Sequence, residues 1–222
     1  LILSDIINSI LPKCDNAYFL VGYFYFSGFA ELCDKLKDVN LKVLVGLEVE
    51  RNIVNSIKEV ENFATTNKTR GQLREDFYKS LVEIFNNTDF FDSEEQIEKF
   101  KLFLGKLENG SLEVRKTLDP NHAKLYLFQN KEEENICGTF PGTMITGSSN
   151  LSVTGLKNRL ELNVILRDKS NYIEGKAVFD ELWETSVAVV DTDHITEFKE
   201  KVINHIWFEK LYSPYTMFVR VL

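Results

Sequence analysis

The sequence is poor in histidine, cysteine and proline: among 222 residues it has three histidines, three cysteines and four prolines. The cysteines, Cys14, Cys33 and Cys137, are odd in number and lack metal-ligand spacing. That excludes a self-contained disulfide framework and a cysteine-based zinc site. It leaves small buried or half-exposed thiols, as expected of a cytoplasmic, reducing compartment. No apolar run reaches the length of a membrane span and no signal peptide is recognisable, so a membrane partner is not expected. Because the first residue is Leu, the chain is expected to be a piece of a longer protein, and a leader upstream stays open.

Positive charge is scarce as well. Lys and Arg number 26 against 34 Asp and Glu, a formal charge of −8. This opposes a general attraction to nucleic acid, whose affinity comes from cations neutralising phosphates. The charge is unevenly spread, however. Arg115, Lys116, Lys124, Lys157, Arg159 and Arg167 fall within one region, while acidic residues gather at 89–98, 132–134 and 174–200. A site focusing a field on an anion needs such an arrangement; charges falling on solvated faces also produce it.

What is present is a globular core. Hydrophobic residues make up 44% and charged residues 27%, enough for one domain with a full core. Residues 2–11 carry an apolar helical stripe ending at Pro12. Ala17–Phe26 reads as a buried strand. Ser27-Gly28 opens a helix over Phe29, Leu32, Cys33 and Leu36, and Leu41–Leu47 is a second strand. This helix–strand–helix–strand rhythm points to an α/β domain with a parallel pair. Residues 53–108 read as a helical excursion. One stripe is Leu73, Phe77, Leu81, Ile84 and Phe85, the other Ile97, Phe100, Phe103, Leu104 and Leu107, with a turn at Asn86–Thr88 and Ser93 and Gln96 as a capping box. Ser111–Arg115 is a third strand. Ile136–Phe140 and Gly142–Ile145, split by Pro141, read as sheet-edge pieces. Leu160–Leu166 is the last strong strand. Asn171–Thr185 is a helix with Ala177, Val178, Leu182 and Trp183 inward, and Asp191–Trp207 is another. Ser213-Pro214 starts a last helix. The domain is expected to span 1–190, with helices at 191–222 leading into further chain.

The chemistry gathers between His122 and Glu161. His122-Ala123-Lys124 opens a strand-like run to Phe128, and strand alternation puts His122 and Lys124 on one face. Gly147-Ser148-Ser149-Asn150 follows a second such run, and Glu161 sits in a third. Taken singly, His122 reads as a strand-edge residue, Lys124 as a surface lysine, and Ser148 to Asn150 as a turn and helix cap. A carboxylate in an apolar strand needs a partner, which makes Glu161 the hardest to set aside. His194 and His205, on an acidic amphipathic helix, read as structural.

Together these residues resemble the phospholipase D superfamily, whose pattern is His-x-Lys, a later Asp, Gly-Ser-x-Asn and then a Glu. His122 and Lys124 match the first element, Gly147, Ser148 and Asn150 the second, and Glu161 the last. The resemblance is tight over about 40 residues and extends loosely to Phe19–Phe24 and Lys42–Gly46. The order and spacing are also similar to the domain found ahead of some bacterial helicases and in some restriction endonucleases. Gln129 stands where the family's Asp would be. That Asp is absent from several nuclease branches, so the departure counts against a phospholipase more than against a nuclease.

The resemblance implies an α-β-α sandwich, a mixed sheet with helices on both faces. It also implies phosphodiester hydrolysis of nucleic acid, DNA above all, with no metal and no cofactor. His122 would attack phosphorus and form a phosphohistidine. Lys124 and Asn150 would hold the nonbridging oxygens, Ser148 would support the site, and Glu161 would orient the His122 ring. The family uses two His-x-Lys copies, and this chain has one. A homodimer with two His122 across a two-fold axis supplies the second; a copy elsewhere in a longer parent, fused to a helicase or restriction domain, is the other expectation. The dimer interface is expected around Asn121, Ser152–Lys157 and Phe24–Phe26. An inactive dimerising or nucleic-acid-docking module is the alternative function.

Overall fold

A computed structural model describes residues 2–46, 68–86, 93–135, 138–158 and 161–206. The expectations for 53–67, for the turn after Asn86 and for the helix from Ser213 lie outside these residues, as do Cys137, Arg159, Leu160 and the side chain of Ile84.

Seven strands form one mixed sheet. They are β1 (Cys14–Val21), β2 (Asn40–Val45), β3 (Leu112–Lys116), β4 (Leu125–Asn130), β5 (Gly142–Gly147), β6 (Asn163–Leu166) and β7 (Val187–Val190). Their spatial order is β6-β5-β4-β1-β2-β3-β7. β1, β2 and β3 run parallel, and every other pairing is antiparallel. The helices are α1 (Leu3–Ile10), α2 (Phe26–Leu36), α3 (Arg70–Asn86), α4 (Glu94–Glu108), α5 (Lys169–Thr185) and the short α6 (Ile195–Phe198), which continues as a π-helical segment over Lys199–Ile203.

Strand alternation assigns two faces. Ala17, Phe19 and Val21 of β1, Leu41, Val43 and Val45 of β2, and Tyr126 and Phe128 of β4 enter the larger core with α1 to α4. Leu20, Leu44, Leu125 and Leu127 point the other way, onto Tyr172, Phe179 and Trp183 of α5. Both faces of the central strands are covered, which is why β1 and β2 read as continuous apolar runs. The expected mixed sheet with helices on both faces is what the chain forms. Phe198, Val202, Ile203 and Ile206 enter the larger core too, so the described part of the C-terminal segment belongs to the same unit.

The two excursion stripes do their packing through aromatic rings. Phe26 of α2 lies edge-on to Phe85 of α3 at 5.8 Å and to Phe100 and Phe103 of α4 at 5.3 and 5.2 Å. Each such contact adds about 1 kcal/mol beyond area burial. Ser93 caps α4, accepting from the Gln96 amide. The reciprocal half of the box is missing, since Gln96 Oε1 has no partner. Lys106 of α4 is buried and donates to Lys37 O at 3.3 Å, Val39 O at 2.9 Å and Ser111 Oγ at 3.0 Å. It ties the end of α2 to the starts of β2 and β3, and burial pulls its ammonium below the ordinary lysine range.

Several local expectations are corrected. β1 ends at Val21, because the chain bends at Gly22 and Tyr23 and leaves the ladder. β4 begins at Leu125, so His122 and Lys124 precede it rather than open it. β5 is no edge piece but lies between β4 and β6, and 138–140 form no strand. β6 begins at Asn163, leaving Glu161 in the loop before it. The core face of α5 is Tyr172, Gly175, Phe179 and Trp183, while Ala177 and Val178 face solvent. Gly142 admits the Tyr172 ring, which would lie 2.5 Å from a Cβ there, and this contact sets the helix rotation. β7 has no counterpart in the sequence reading; four apolar residues between two helices were too short to register.

Candidate active site

The topology brings one end of five strands together. β1 and β2 arrive with their carboxyl ends, at Gly22 and Gly46. β4 runs antiparallel to β1 and departs from the same end, after His122 and Lys124. β5 returns to it at Gly147, and β6 leaves from it after Glu161. Loops outside the carboxyl ends of parallel strands are the usual ligand position in open α/β sheets. The motif therefore lies at the strand ends.

The loop before β4 is fixed by Asn121. Its backbone N–H donates to Gly46 O at 3.2 Å, its side-chain amide donates to Thr117 Oγ1 at 3.2 Å, and its Oδ1 accepts from the Ala123 N–H at 3.2 Å. A Cβ on residue 46 would lie 2.1 Å from Asn121 O, so only glycine lets the two backbones meet. Three functional groups then converge beside Gly22. The place a Cβ would occupy there is 3.1 Å from His122 Cδ2 and 3.5 Å from both Lys124 Nζ and Asn150 Oδ1.

His122 is exposed and Lys124 is 5% exposed. Lys124 Nζ lies 2.6 Å from His122 Nδ1 and donates to His122 O at 2.7 Å. Burial, and then the Lys124 charge, hold the His122 ring below its ordinary pKa, so it is neutral near pH 7. Burial also lowers Lys124, against a raising influence from Glu161, whose carboxylate is thus within electrostatic reach. With Lys124 as ammonium, Nδ1 accepts and the neutral ring carries its proton on Nε2. Tyr23 stands edge-on to the His122 ring, centroids 6.0 Å apart.

The second half of the motif is a locked loop. A Cβ at Gly147 would lie 2.1 Å from Leu162 O, which explains the glycine. Ser148 N–H donates to Leu162 O at 3.1 Å, and Ser148 Oγ accepts from the Leu162 N–H at 3.1 Å. The Ser148 hydroxyl donates to Glu161. Buried Ser149 is held through its carbonyl by Tyr126 Oη at 2.8 Å and through its hydroxyl by Asn163 Nδ2 at 2.8 Å. Asn150 Oδ1 is buried without a partner, the kind of orphan that ligand sites retain. A half-turn of the amide presents Nδ2 there instead, a donor for an anion.

His122, Lys124 and Asn150 are therefore brought together, with Ser148 and Glu161 as a pair alongside. Among the described residues, Glu161 makes its hydrogen bond to Ser148, and none joins it to His122. Gln129 is remote, near the other end of β4, where its Oε1 accepts from Tyr18 Oη at 2.8 Å and Asn16 Nδ2 at 3.3 Å. Neither of these hydrogen bonds involves His122, Lys124 or Asn150. His194 binds Asp191 at 2.6 Å, as a structural residue would. Gly22, Gly46 and Tyr23 were missed from sequence. Both strand runs end in Leu-Val-Gly, at 20–22 and 44–46, and that repeated ending was the available signal.

Residues 18–183 match a protein family described as "Cardiolipin synthase, PLD-like domain". No curated protein sequence matches significantly. Among solved structures, a phospholipase D family member, Nuc from Salmonella typhimurium, aligns at 11% identity with a TM-score of 0.42, over 83% of this chain and 88% of that one. NucT from Helicobacter pylori aligns at 10% identity and 0.44, over 83% and 89%. TrmBL2, an archaeal chromatin protein with a novel mode of DNA binding, aligns at 13% and 0.41, over 83% and 50%.

Proposed function

The chain belongs to the PLD-like domain family, and from that premise we propose that it is a nuclease domain hydrolysing phosphodiester bonds of nucleic acid through His122. The observation that supports this best is the convergence of His122, Lys124 and Asn150 Oδ1, which has no partner among the described residues, on one point beside Gly22. A neutral imidazole, a cation and an amide gathered at one place are the groups that attack on phosphorus and stabilisation of its nonbridging oxygens require.

In this reading the incoming phosphate draws Lys124 Nζ off the ring. The ring then carries its proton on Nδ1 and offers the Nε2 lone pair to phosphorus. Nε2 bonds to phosphorus as the P–O bond to the leaving nucleoside breaks, and an acid delivers a proton to the departing oxygen. Water then attacks phosphorus, breaks the P–N bond and restores His122. Lys124 and Asn150 stabilise the nonbridging oxygens throughout. Glu161 works through Ser148, holding the Gly147–Asn150 loop so that Asn150 reaches the site. One imidazole cannot be nucleophile on one side of phosphorus and acid on the other. The acid is His122 of a second copy across a two-fold axis, in its imidazolium form, and DNA, with a helicase or restriction domain in the parent protein, is the expected context.

The test is hydrolysis of bis(p-nitrophenyl) phosphate and of labelled oligodeoxynucleotides in excess EDTA. Cleavage should persist, vanish in His122→Ala and survive in His194→Ala. Activity lost in EDTA and restored by magnesium contradicts the phosphohistidine route. Oligonucleotide binding without hydrolysis of either substrate favours a docking module instead.

A further inference from the structure

Beside the proposed phosphate position the chain carries an aromatic ledge. Between β1 and α2, residues 22–26 read Gly-Tyr-Phe-Tyr-Phe. Phe24 forms a parallel bridge with Leu151 and is 2% exposed, its ring 6.2 Å from Phe103. Tyr25 is extended, with φ −119° and ψ 124°, and its ring lies on the side of Tyr23 rather than in the core with Phe24. Both tyrosines are half-buried, whereas Gly22, Phe24 and Phe26 are buried. Their rings are 6.3 Å apart, and Tyr23 is 6.0 Å from the His122 ring. The two phenylalanines pack on α4, whereas Tyr23 and Tyr25 stay partly exposed on the side where Tyr23 meets the imidazole.

We propose that Tyr23 and Tyr25 form a nucleobase subsite, so that the site takes single-stranded nucleic acid with the base next to the scissile phosphate stacked on this ledge. The inference rests on the phosphodiesterase reading of His122 and adds the substrate class. A base attached to the phosphate at His122 is tethered within one nucleotide of a ring 6.0 Å from that imidazole. In a duplex the bases are already stacked on each other and offer no free face; in a single strand each base has one. Charge points the same way. The chain carries a net charge of −8, and Lys157, a cation on the loop after Asn150, is paired with Glu31 at 2.6 Å. Base stacking tolerates an acidic surface where phosphate tracking does not.

Binding is measured by fluorescence anisotropy on His122→Asn protein, which prevents turnover. Three probes of equal length are used: a short oligothymidylate, an abasic deoxyribose-phosphate strand and a fully paired duplex. Oligothymidylate should bind at least tenfold more tightly than either of the others. Tyr23→Leu and Tyr25→Leu should each weaken oligothymidylate roughly tenfold and leave the abasic strand unchanged. Tyr23→Phe should bind as the parent does, because the ring and not the hydroxyl makes the stack. Equal affinity for oligothymidylate and the abasic strand overturns the proposal without any variant, and so does a preference for duplex. Hydrolysis of bis(p-nitrophenyl) phosphate, which has no base, reports on the catalytic reading separately. Its failure alongside base-dependent binding would remove the nuclease activity and keep the subsite.

Discussion

The Ser148 hydroxyl donates its hydrogen bond to Glu161, thirteen residues further along the chain, and thereby joins the Gly147–Asn150 loop to the segment entering β6. The family pattern implies that Glu161 orients His122; its hydrogen bond here is to Ser148, and Lys124 Nζ lies 2.6 Å from Nδ1 of the ring. If Glu161 acts through Ser148, Ser148→Ala and Glu161→Gln should impair turnover to similar degrees. The double variant should be little worse than either, with a coupling of about 1 kcal/mol in a double-mutant cycle on kcat/KM. Additive losses would mean that Glu161 serves the site by another route.

The pH dependence follows from His122. Burial and Lys124 both lower its pKa, so the acid limb of kcat/KM should lie below the ordinary histidine value of about 6.5. Lys124→Gln removes the second cause and should move the limb upward, an effect also visible in an NMR titration of the ring. It should also cost roughly 3 kcal/mol of transition-state stabilisation. For stability, the unfolded chain takes up the His122 proton first as pH falls, since the folded pKa is the lower one. Stability from this group therefore declines below the unfolded value, and His122→Ala should flatten that part of the stability curve. An unchanged limb in Lys124→Gln would separate the two residues functionally.

Two glycines of the site should respond in opposite ways. A methyl at residue 147 meets the backbone oxygen of Leu162 at 2.1 Å, which cannot yield without breaking the strand pairing. Gly147→Ala should lower the thermal midpoint, by an amount in the upper part of the ordinary single-site range of about 1–3 kcal/mol. At residue 22 the nearest contact is the His122 ring at 3.1 Å, an exposed side chain that needs to give way by only a few tenths of an ångström. Gly22→Ala should leave the midpoint nearly unchanged and reduce kcat by displacing the imidazole. Calorimetry with steady-state kinetics on both variants checks this.

The two-fold dimer is tested by mixing. His122→Ala chains exchanged with wild-type chains should give heterodimers that are largely inactive, as each phosphate needs both rings. The expected interface must avoid Phe24 and Phe26, which were assigned to it from sequence but are buried at 2% and 5% exposure. Of the expected residues, Asn121, Val153, Thr154 and Lys157 are not buried and remain to supply it. Sedimentation that finds a monomer with full activity would place the second histidine elsewhere.

The core strands, most of the helices and the motif on which the proposed site rests are legible in the residue pattern alone. Runs such as Ala17–Val21 and Leu41–Val45 are apolar on both faces because helices cover both faces, and that pattern is local. The motif residues are legible for a similar reason: chemistry fixes residue type and order. Tertiary structure decided the rest. α5 turns on Gly142 admitting Tyr172, a contact thirty residues apart in sequence, so periodicity alone selected the wrong face with Ala177 and Val178. β7 is a strand only because β3 offers it an edge. The site gathers at one strand end because β1 and β2 run against β4, and strand direction appears nowhere in a hydrophobic pattern. Gly22 and Gly46 matter only for what approaches them, His122 and Asn121 from distant chain. Glu161 chose Ser148 over His122 because the backbone pairing of Gly147 with Asn163 sets those two side by side, while Lys124 already occupies the ring.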